Sequence, residues 1–201
     1  AVIIDSFGKA FTLPIHKLPS ARGQGDPVSS SINSQSGSTF AGVVAGTEEE
    51  YCLLAANSGY GFIAKISDLQ TKNKSGKAAL NTKGAIPLGP EKFTSLENSY
   101  IASITEEGKM LLIDSKDLPI LTKGKGNKII NIDKKKFESR ENKLVFIKTL
   151  EKGSNLKIHS GKQSYTIKAK DLENFVGTRG RKGNFLPKGY RRVEKLEVIA
   201  E

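Results

Sequence analysis

Three stretches of the chain set cations among glycines: KNKSGK (Lys72, Lys74, Lys77), KGKGNK (Lys123, Lys125, Lys128) and TRGRKGN (Arg179, Arg181, Lys182). Glycine lets backbone N–H groups approach an anion, and a flanking ammonium or guanidinium neutralises it. Each stretch therefore has the chemistry of a phosphate site that reads no base. Arg22 in ARGQG, and Lys188, Arg191 and Arg192 in PKGYRRV, extend the set. A single loop of this kind is most simply a solvated turn; its recurrence along the chain favours a shared role. LTKGKGNKII, from Leu121 to Ile130, passes straight from lysines into isoleucines. A linker stays polar, whereas a return to β-branched residues marks a loop between strands.

Other candidate chemistry is weaker. GYGFIA (Gly59 to Ala64) matches a dinucleotide fingerprint in letters, but no helical pattern follows it. The Gly-Lys pair in GSNLKIHSGKQ lacks the spacing of a phosphate-binding P-loop. His16 and His159 stand far apart without cysteine or carboxylate clusters at ligand spacing, so both read as structural or exposed. SSSINSQSGS has no nucleophile elbow and reads as a flexible connection, and Glu48 to Glu50 as a solvated hairpin start. Tyr190 lies beside two arginines but lacks the acid–base or metal partners a covalent nucleophile needs. No catalytic residue is assigned, and no metal site.

The chain has 201 residues, enough for one sizeable all-β unit, with 32 lysines and arginines against 21 acids and a formal net charge of +11. That balance suggests a polyanionic partner without naming one. Its distribution is more informative. Thr122 to Lys136 holds six lysines against Asp133, and Asp171 to Arg192 six cations against two acids, while residues 1 to 50 carry three cations and five acids. One edge is expected to be far more positive than the other. Cys52 is the only cysteine and sits in YCLLAA, a buried-strand pattern, so a reducing cytoplasmic compartment is expected. No apolar run approaches a membrane span, and no signal peptide or anchor is recognised.

The elements that would position these loops repeat. Turn glycines Gly8, Gly59, Gly108 and Gly161 follow one another at 51, 49 and 53 residues. A leucine (Leu18, Leu69, Leu118, Leu172) lies 10, 10, 10 and 11 residues beyond each, and a loop glycine (Gly25, Gly76, Gly126, Gly180) a further 7, 7, 8 and 8. FIAKISDL, MLLIDSKDL and SYTIKAKDL alternate in twos, and no window carries a sustained helical stripe. A period near 50 with three or four short strands predicts blades of a propeller-like, all-β fold, with motifs starting near 5, 57, 105 and 159 of one domain over 1–201. The basic loops then fall on one edge of successive blades, a rim around which duplex DNA could bend.

LPSARGQGDP, SGYGFIAKISDL with NKSGKAAL, GKMLLIDSKDLPILTKGKGNKIINI and RGRKGNFLPKGYRRVEKLEV, in this order, resemble the C-terminal domains of the bacterial DNA topoisomerase IV A subunits, the ParC family. The resemblance implies a β-pinwheel, a propeller-like ring whose blades exchange strands, with a basic rim that binds and bends duplex DNA for a separate type IIA cleavage core. It implies a non-catalytic module without a cofactor of its own, ATP and magnesium serving other parts of the full enzyme. Its partners would be duplex DNA, the cleavage core and the ATPase-bearing B subunit, in a nucleoid-associated cytoplasmic setting that leaves peripheral membrane association of the full enzyme open. The related gyrase domain carries a glutamine-arginine-arginine-glycine-glycine-lysine-glycine box, and RGQG and RGRKGN are only degenerate relatives of it. Bending rather than chiral wrapping is expected, with a gyrase-type wrapping domain and a propeller-like protein-interaction scaffold as the rivals. Only four motif copies are present and the chain starts inside the first, so an open or incomplete ring and a C-terminal fragment of a longer polypeptide are expected.

Overall fold

A computed structural model describes residues 1–200. The first repeat contributes strands β1 (Val2–Asp5), β2 (Lys9–Thr12) and β3 (Phe40–Val44), and the second β4 (Tyr51–Ala55), β5 (Tyr60–Lys65), β6 (Lys77–Ala78) and β7 (Glu91–Lys92). The third adds β8 (Ser99–Thr105), β9 (Lys109–Asp114), β10 (Asn127–Lys128) and β11 (Leu144–Glu151). The fourth adds β12 (Asn155–Ser160), β13 (Gln163–Ile167), β14 (Asn184–Phe185) and β15 (Lys195–Ile199). Helices are limited to single turns such as Ile66–Leu69 and Ala169–Leu172, as the absence of a helical stripe predicts.

These strands form antiparallel sheets in the orders β3-β1-β2-β6, β10-β5-β4-β7, β11-β8-β9-β14 and β13-β12-β15. In the first three sheets one two-residue strand comes from the following repeat: β6 pairs with β2, β10 with β5 and β14 with β9. The fold is thus an all-β pinwheel whose blades exchange strands. Each exchange is locked at the turn glycine of the receiving blade, whose carbonyl accepts from the incoming strand: Leu80 N–H to Gly8 O at 2.8 Å, Ile129 to Gly59 at 2.7 Å and Leu186 to Gly108 at 2.9 Å. The glycines are required sterically. A Cβ on Gly8 would sit 1.9 Å from the Leu80 carbonyl oxygen, and one on Gly59 2.7 Å from that of Ile130.

Apolar clusters fill the space between consecutive sheets. Ile4, Leu54, Phe62 and Leu69 lie between the first and second, Leu53, Ile63, Ile101 and Ile113 between the second and third, and Ile104, Leu112, Leu156 and Ile158 between the third and fourth. β4 and β5 are therefore buried on both faces and read as near-continuous apolar runs. Cys52 lies within β4, where burial pushes its thiol up to about 12. The repeated leucine anchors the start of each basic loop: Leu69, Leu118 and Leu172 are 0%, 5% and 2% exposed. Leu18 occupies the same repeat position but is 47% exposed, on the wall of a groove with Leu13 and Thr71.

The fourth blade departs from the rule, and the sequence shows why. Its hairpin closes with Ser160 opposite Gln163, one residue shorter than in the other repeats. Counting back from the shared leucine, Lys162 stands where Gly108 stands, and Ser164, Tyr165 and Thr166 replace the buried Met110, Leu111 and Leu112. Among the described residues β13 therefore pairs only with β12 and presents a polar outer edge, which protects an edge strand from wrong pairing. Among the described residues the ring is open at this edge.

SSSINSQSGS, expected as a flexible connection between blades, instead joins β2 to β3 within the first sheet. Ile32 pins it into a small core with Ile3, Phe11 and Leu13, and the Ser38 hydroxyl donates to Asp5 Oδ2 at 2.9 Å. A single apolar residue among polar ones gives too little periodicity to reveal such an anchor.

Candidate nucleic-acid interface

The basic loops lie between the repeat leucine and the exchanged strand, so strand exchange carries each loop back onto the preceding blade. Neighbouring loops then touch through their backbones. The Asn81 N–H donates to Gly124 O at 2.7 Å and the Gly124 N–H to Ala79 O at 2.9 Å, tying the 72–81 loop to the 121–126 loop. Further along, Gly180 N–H donates to Ile129 O at 2.8 Å and Asn131 N–H to Arg181 O at 2.9 Å, tying 128–131 to 178–181. KNKSGK, KGKGNK and TRGRKGN thus form one continuous edge, held by main-chain contacts that tolerate side-chain substitution.

Individual cations on this edge have different surroundings. Lys72, Lys74, Lys123, Arg181, Lys182, Lys188 and Arg192 are exposed. Lys72 and Lys74 line a groove of about 510 Å³ with Lys17, a cation that no glycine motif marks. Lys125 places its ammonium 3.8 Å above the Tyr60 ring, and Lys128 donates to Asn131 Oδ1 at 3.3 Å. Arg191 stacks 4.3 Å from the Phe185 ring while its Nε donates to Leu186 O at 3.0 Å. Two cations face inward. Lys77 Nζ donates to the Asp68 carbonyl at 2.6 Å, and Arg179 Nη1 to the Lys128 carbonyl at 2.8 Å, so each braces its loop. Arg22 is exposed on the first repeat's loop, where its N–H meets Ser20 Oγ at 3.3 Å.

The lysine-rich window from 122 to 136 divides in two. Lys134, Lys135 and Lys136 lie on a one-turn helix (Lys134–Glu138) capped by Asp133, whose Oδ1 accepts from the Lys136 N–H at 3.1 Å. Lys136 is paired with Glu107, which raises its pKa, and Lys134 lies 3.8 Å from Glu138. Only Lys123, Lys125 and Lys128 belong to the loop edge.

The remaining candidates have structural surroundings. In GYGFIA, Gly61 faces Gly126: a Cβ on Gly126 would meet the Gly61 carbonyl oxygen at 1.9 Å, so both glycines serve strand exchange. His159 Nε2 lies 2.9 Å from Glu197 Oε2 across β12 and β15, and Lys195 bonds to the same carboxylate. Hydrogen bonds from Lys195 and His159 lower the Glu197 carboxyl to about 2. Tyr190 packs on Tyr165 with ring centroids 5.2 Å apart. His16 is exposed.

Strand-exchanged blades with a basic edge define a class, the gyrase-type C-terminal β-propeller; the family model described as DNA gyrase C-terminal domain, beta-propeller, matches residues 50–84 and 99–141. Within that class the likeness is sharper. The solved C-terminal domain of Escherichia coli ParC superposes with a TM-score of 0.87 at 33% identity, covering 100% of this chain and 81% of that one. The A subunit of DNA topoisomerase 4 from Pseudomonas aeruginosa is 43% identical over 199 residues, and that from Haemophilus influenzae 38% over 199. The chain belongs to the family of ParC C-terminal domains, those of the topoisomerase IV A subunits. It matches over 98% of its own length but only 26% of those two relatives. A solved gyrase A C-terminal domain, at 14% identity and a TM-score of 0.74 over 100% of this chain and 65% of that one, shares the fold. No helix among the described residues is long and apolar enough to cross a membrane.

Proposed function

We propose that this domain binds and bends duplex DNA without sequence preference and presents DNA segments to the cleavage core of a type IIA topoisomerase for decatenation and supercoil relaxation. The observation that carries the reading is the continuous edge formed when the 72–81, 121–131 and 178–181 loops hydrogen-bond side by side. Phosphates are evenly spaced along a duplex, and a curved row of cations on rigid blades matches a bent backbone better than a straight one. The domain acts without a catalytic group of its own. ATP and magnesium belong to the rest of the enzyme, and its protein partners are the cleavage core and the ATPase-bearing B subunit.

Neutralising about six to eight phosphates gives a slope of log affinity against log salt of about −5 to −7. Equilibrium titration of a short duplex from low to moderate salt reads that slope directly. A slope near zero overturns the phosphate-rim reading, and an acidic protein bound where DNA is refused supports the scaffold alternative. The match to the gyrase family model favours one second reading, chiral wrapping. It requires relaxed circular DNA to acquire writhe on binding, whereas simple bending leaves linking number unbiased after relaxation.

A further inference from the structure

Each strand exchange sets one incoming residue opposite the residue that follows the turn glycine: Ala78 opposite Lys9, Lys128 opposite Tyr60 and Phe185 opposite Lys109. The Ile129 and Leu186 N–H groups bond to the adjacent glycine carbonyls. By the alternation of antiparallel ladders, the neighbouring Tyr60/Lys128 and Lys109/Phe185 pairs are non-hydrogen-bonded, the kind whose side chains approach most closely.

In both of these pairs one member is aromatic and the other a lysine, with the roles reversed. Lys128 Nζ lies 5.9 Å from the Tyr60 centroid, and Lys109 Nζ lies 4.9 Å from that of Phe185. Each ring also holds a second cation, Lys125 at 3.8 Å for Tyr60 and Arg191 at 4.3 Å for Phe185. Phe185 is 50% exposed, so core burial does not account for a phenyl ring at this edge. None of these four cations pairs with a carboxylate among the described residues. Two cations within about 6 Å of one ring centroid, neither of them in a salt bridge, attract the ring face but repel each other. An anion seated between them relieves that repulsion. A phosphate oxygen carries that charge, and each site lies on the edge that carries the basic loops.

We propose that Tyr60 and Phe185 are positioning residues of two phosphate clamps, one at each of the second and third strand exchanges, each ring holding two cations ready for one phosphate. For DNA this rests on the phosphate-rim reading. The first exchange has no ring: Lys9 faces Ala78 and turns its ammonium to the Ser75 carbonyl at 3.3 Å.

The test compares Tyr60→Leu and Phe185→Leu with Tyr60→Phe and Phe185→Tyr. Leucine keeps apolar contact and removes the ring face, whereas the conservative variants keep both. Duplex titrations across salt should show each leucine variant binding about three- to tenfold more weakly at low salt, its slope shallower by about one, while the conservative variants match the parent. Leucine variants that fold normally and keep the parental affinity and slope overturn the clamps. So do conservative variants that fall as far as leucine.

A second readout is independent of DNA. Titration with inorganic polyphosphate, followed at the lysine side-chain nitrogens by NMR, should move Lys109 and Lys125 before the exposed Lys134, and the leucine variants should abolish that order. Polyphosphate binding at the clamps with no duplex binding would overturn the rim reading alone. Unordered lysine shifts in the parent would overturn the clamps themselves.

Discussion

Gly126→Ala is expected to lower the stability of the domain by about 3 to 5 kcal/mol, and Gly161→Ala by only about 1. Both glycines have positive φ, +76° and +59°, so both replacements carry the left-handed penalty of roughly 1 kcal/mol. They differ in what the new methyl meets. At Gly161 nothing lies within 4 Å, whereas at Gly126 the methyl would sit 1.9 Å from the Gly61 carbonyl oxygen and 2.9 Å from the Phe62 nitrogen. These are backbone atoms of a central strand, so β10 must lift away and loosen the fully buried Ile129 and Ile130. Burying an isoleucine is worth about 1.5 to 3 kcal/mol, so partial loss of two accounts for the range. Urea unfolding curves of the two variants beside the parent read the difference. Equal midpoints for the two would mean that strand exchange does not hold the blades together.

The second large effect concerns binding. Replacing Lys123, Lys125 and Lys128 together by alanine should weaken duplex binding about a hundredfold near 0.1 M salt and reduce the slope by about 2 to 3. All three lie on the stretch tied by main-chain hydrogen bonds to both neighbouring loops, where removing side chains leaves the backbone edge intact. Thermal stability should stay close to that of the parent. The loss should be the same for duplexes of unrelated sequence, because phosphate contacts carry no base information. Competition titrations with several duplexes check this. A loss confined to particular sequences would place base contacts at this loop, and an unchanged slope would remove it from the interface.

Much of this architecture was legible in the residues, and the rest was hidden for identifiable reasons. The turn glycines and their leucines report a period near 50 because three of the four glycines, Gly8, Gly59 and Gly108, receive an exchanged strand and three of the four leucines, Leu69, Leu118 and Leu172, are buried. Strand exchange was implied by the family resemblance but could not be read from the spacing or alternation of the residues themselves. Each exchanged strand is two residues long, too short for alternation to register, and its partner lies a whole repeat earlier. Without the exchange, Gly61 and Gly126 look like parts of a dinucleotide motif and a basic loop, when a methyl on Gly126 would strike the Gly61 carbonyl and one on Gly61 the Leu54 carbonyl and the incoming Ile129 side chain. The same limit applies to the cations. Lys77 and Arg179 share the glycine-rich setting of the exposed lysines, yet both are turned onto backbone carbonyls. Lys17 lies in the groove with Lys72 and Lys74 although it stands 55 residues from Lys72 in the chain. The polar Ser164, Tyr165 and Thr166, by contrast, do announce a blade edge that receives no exchanged strand once aligned on Leu172.

Lys9, Tyr60 and Lys109 occupy one structural position in successive blades, immediately after the turn glycine. Variation there changes what each junction presents without changing the fold, since the ladder depends on the glycine carbonyl rather than on the side chain. The rigid part of the design is therefore main chain, and the adjustable part is the row of side chains along the edge.

The most direct measurement of the central claim is end-to-end energy transfer in a duplex labelled at both ends, followed as the domain is added at low salt and then reversed with salt. A rim of successive loops predicts that transfer rises in step with occupancy, is insensitive to sequence, and falls back in parallel with dissociation. Saturating binding that leaves the ends as far apart as in free DNA would contradict it, because the duplex would then touch a single loop rather than follow the edge of the blades.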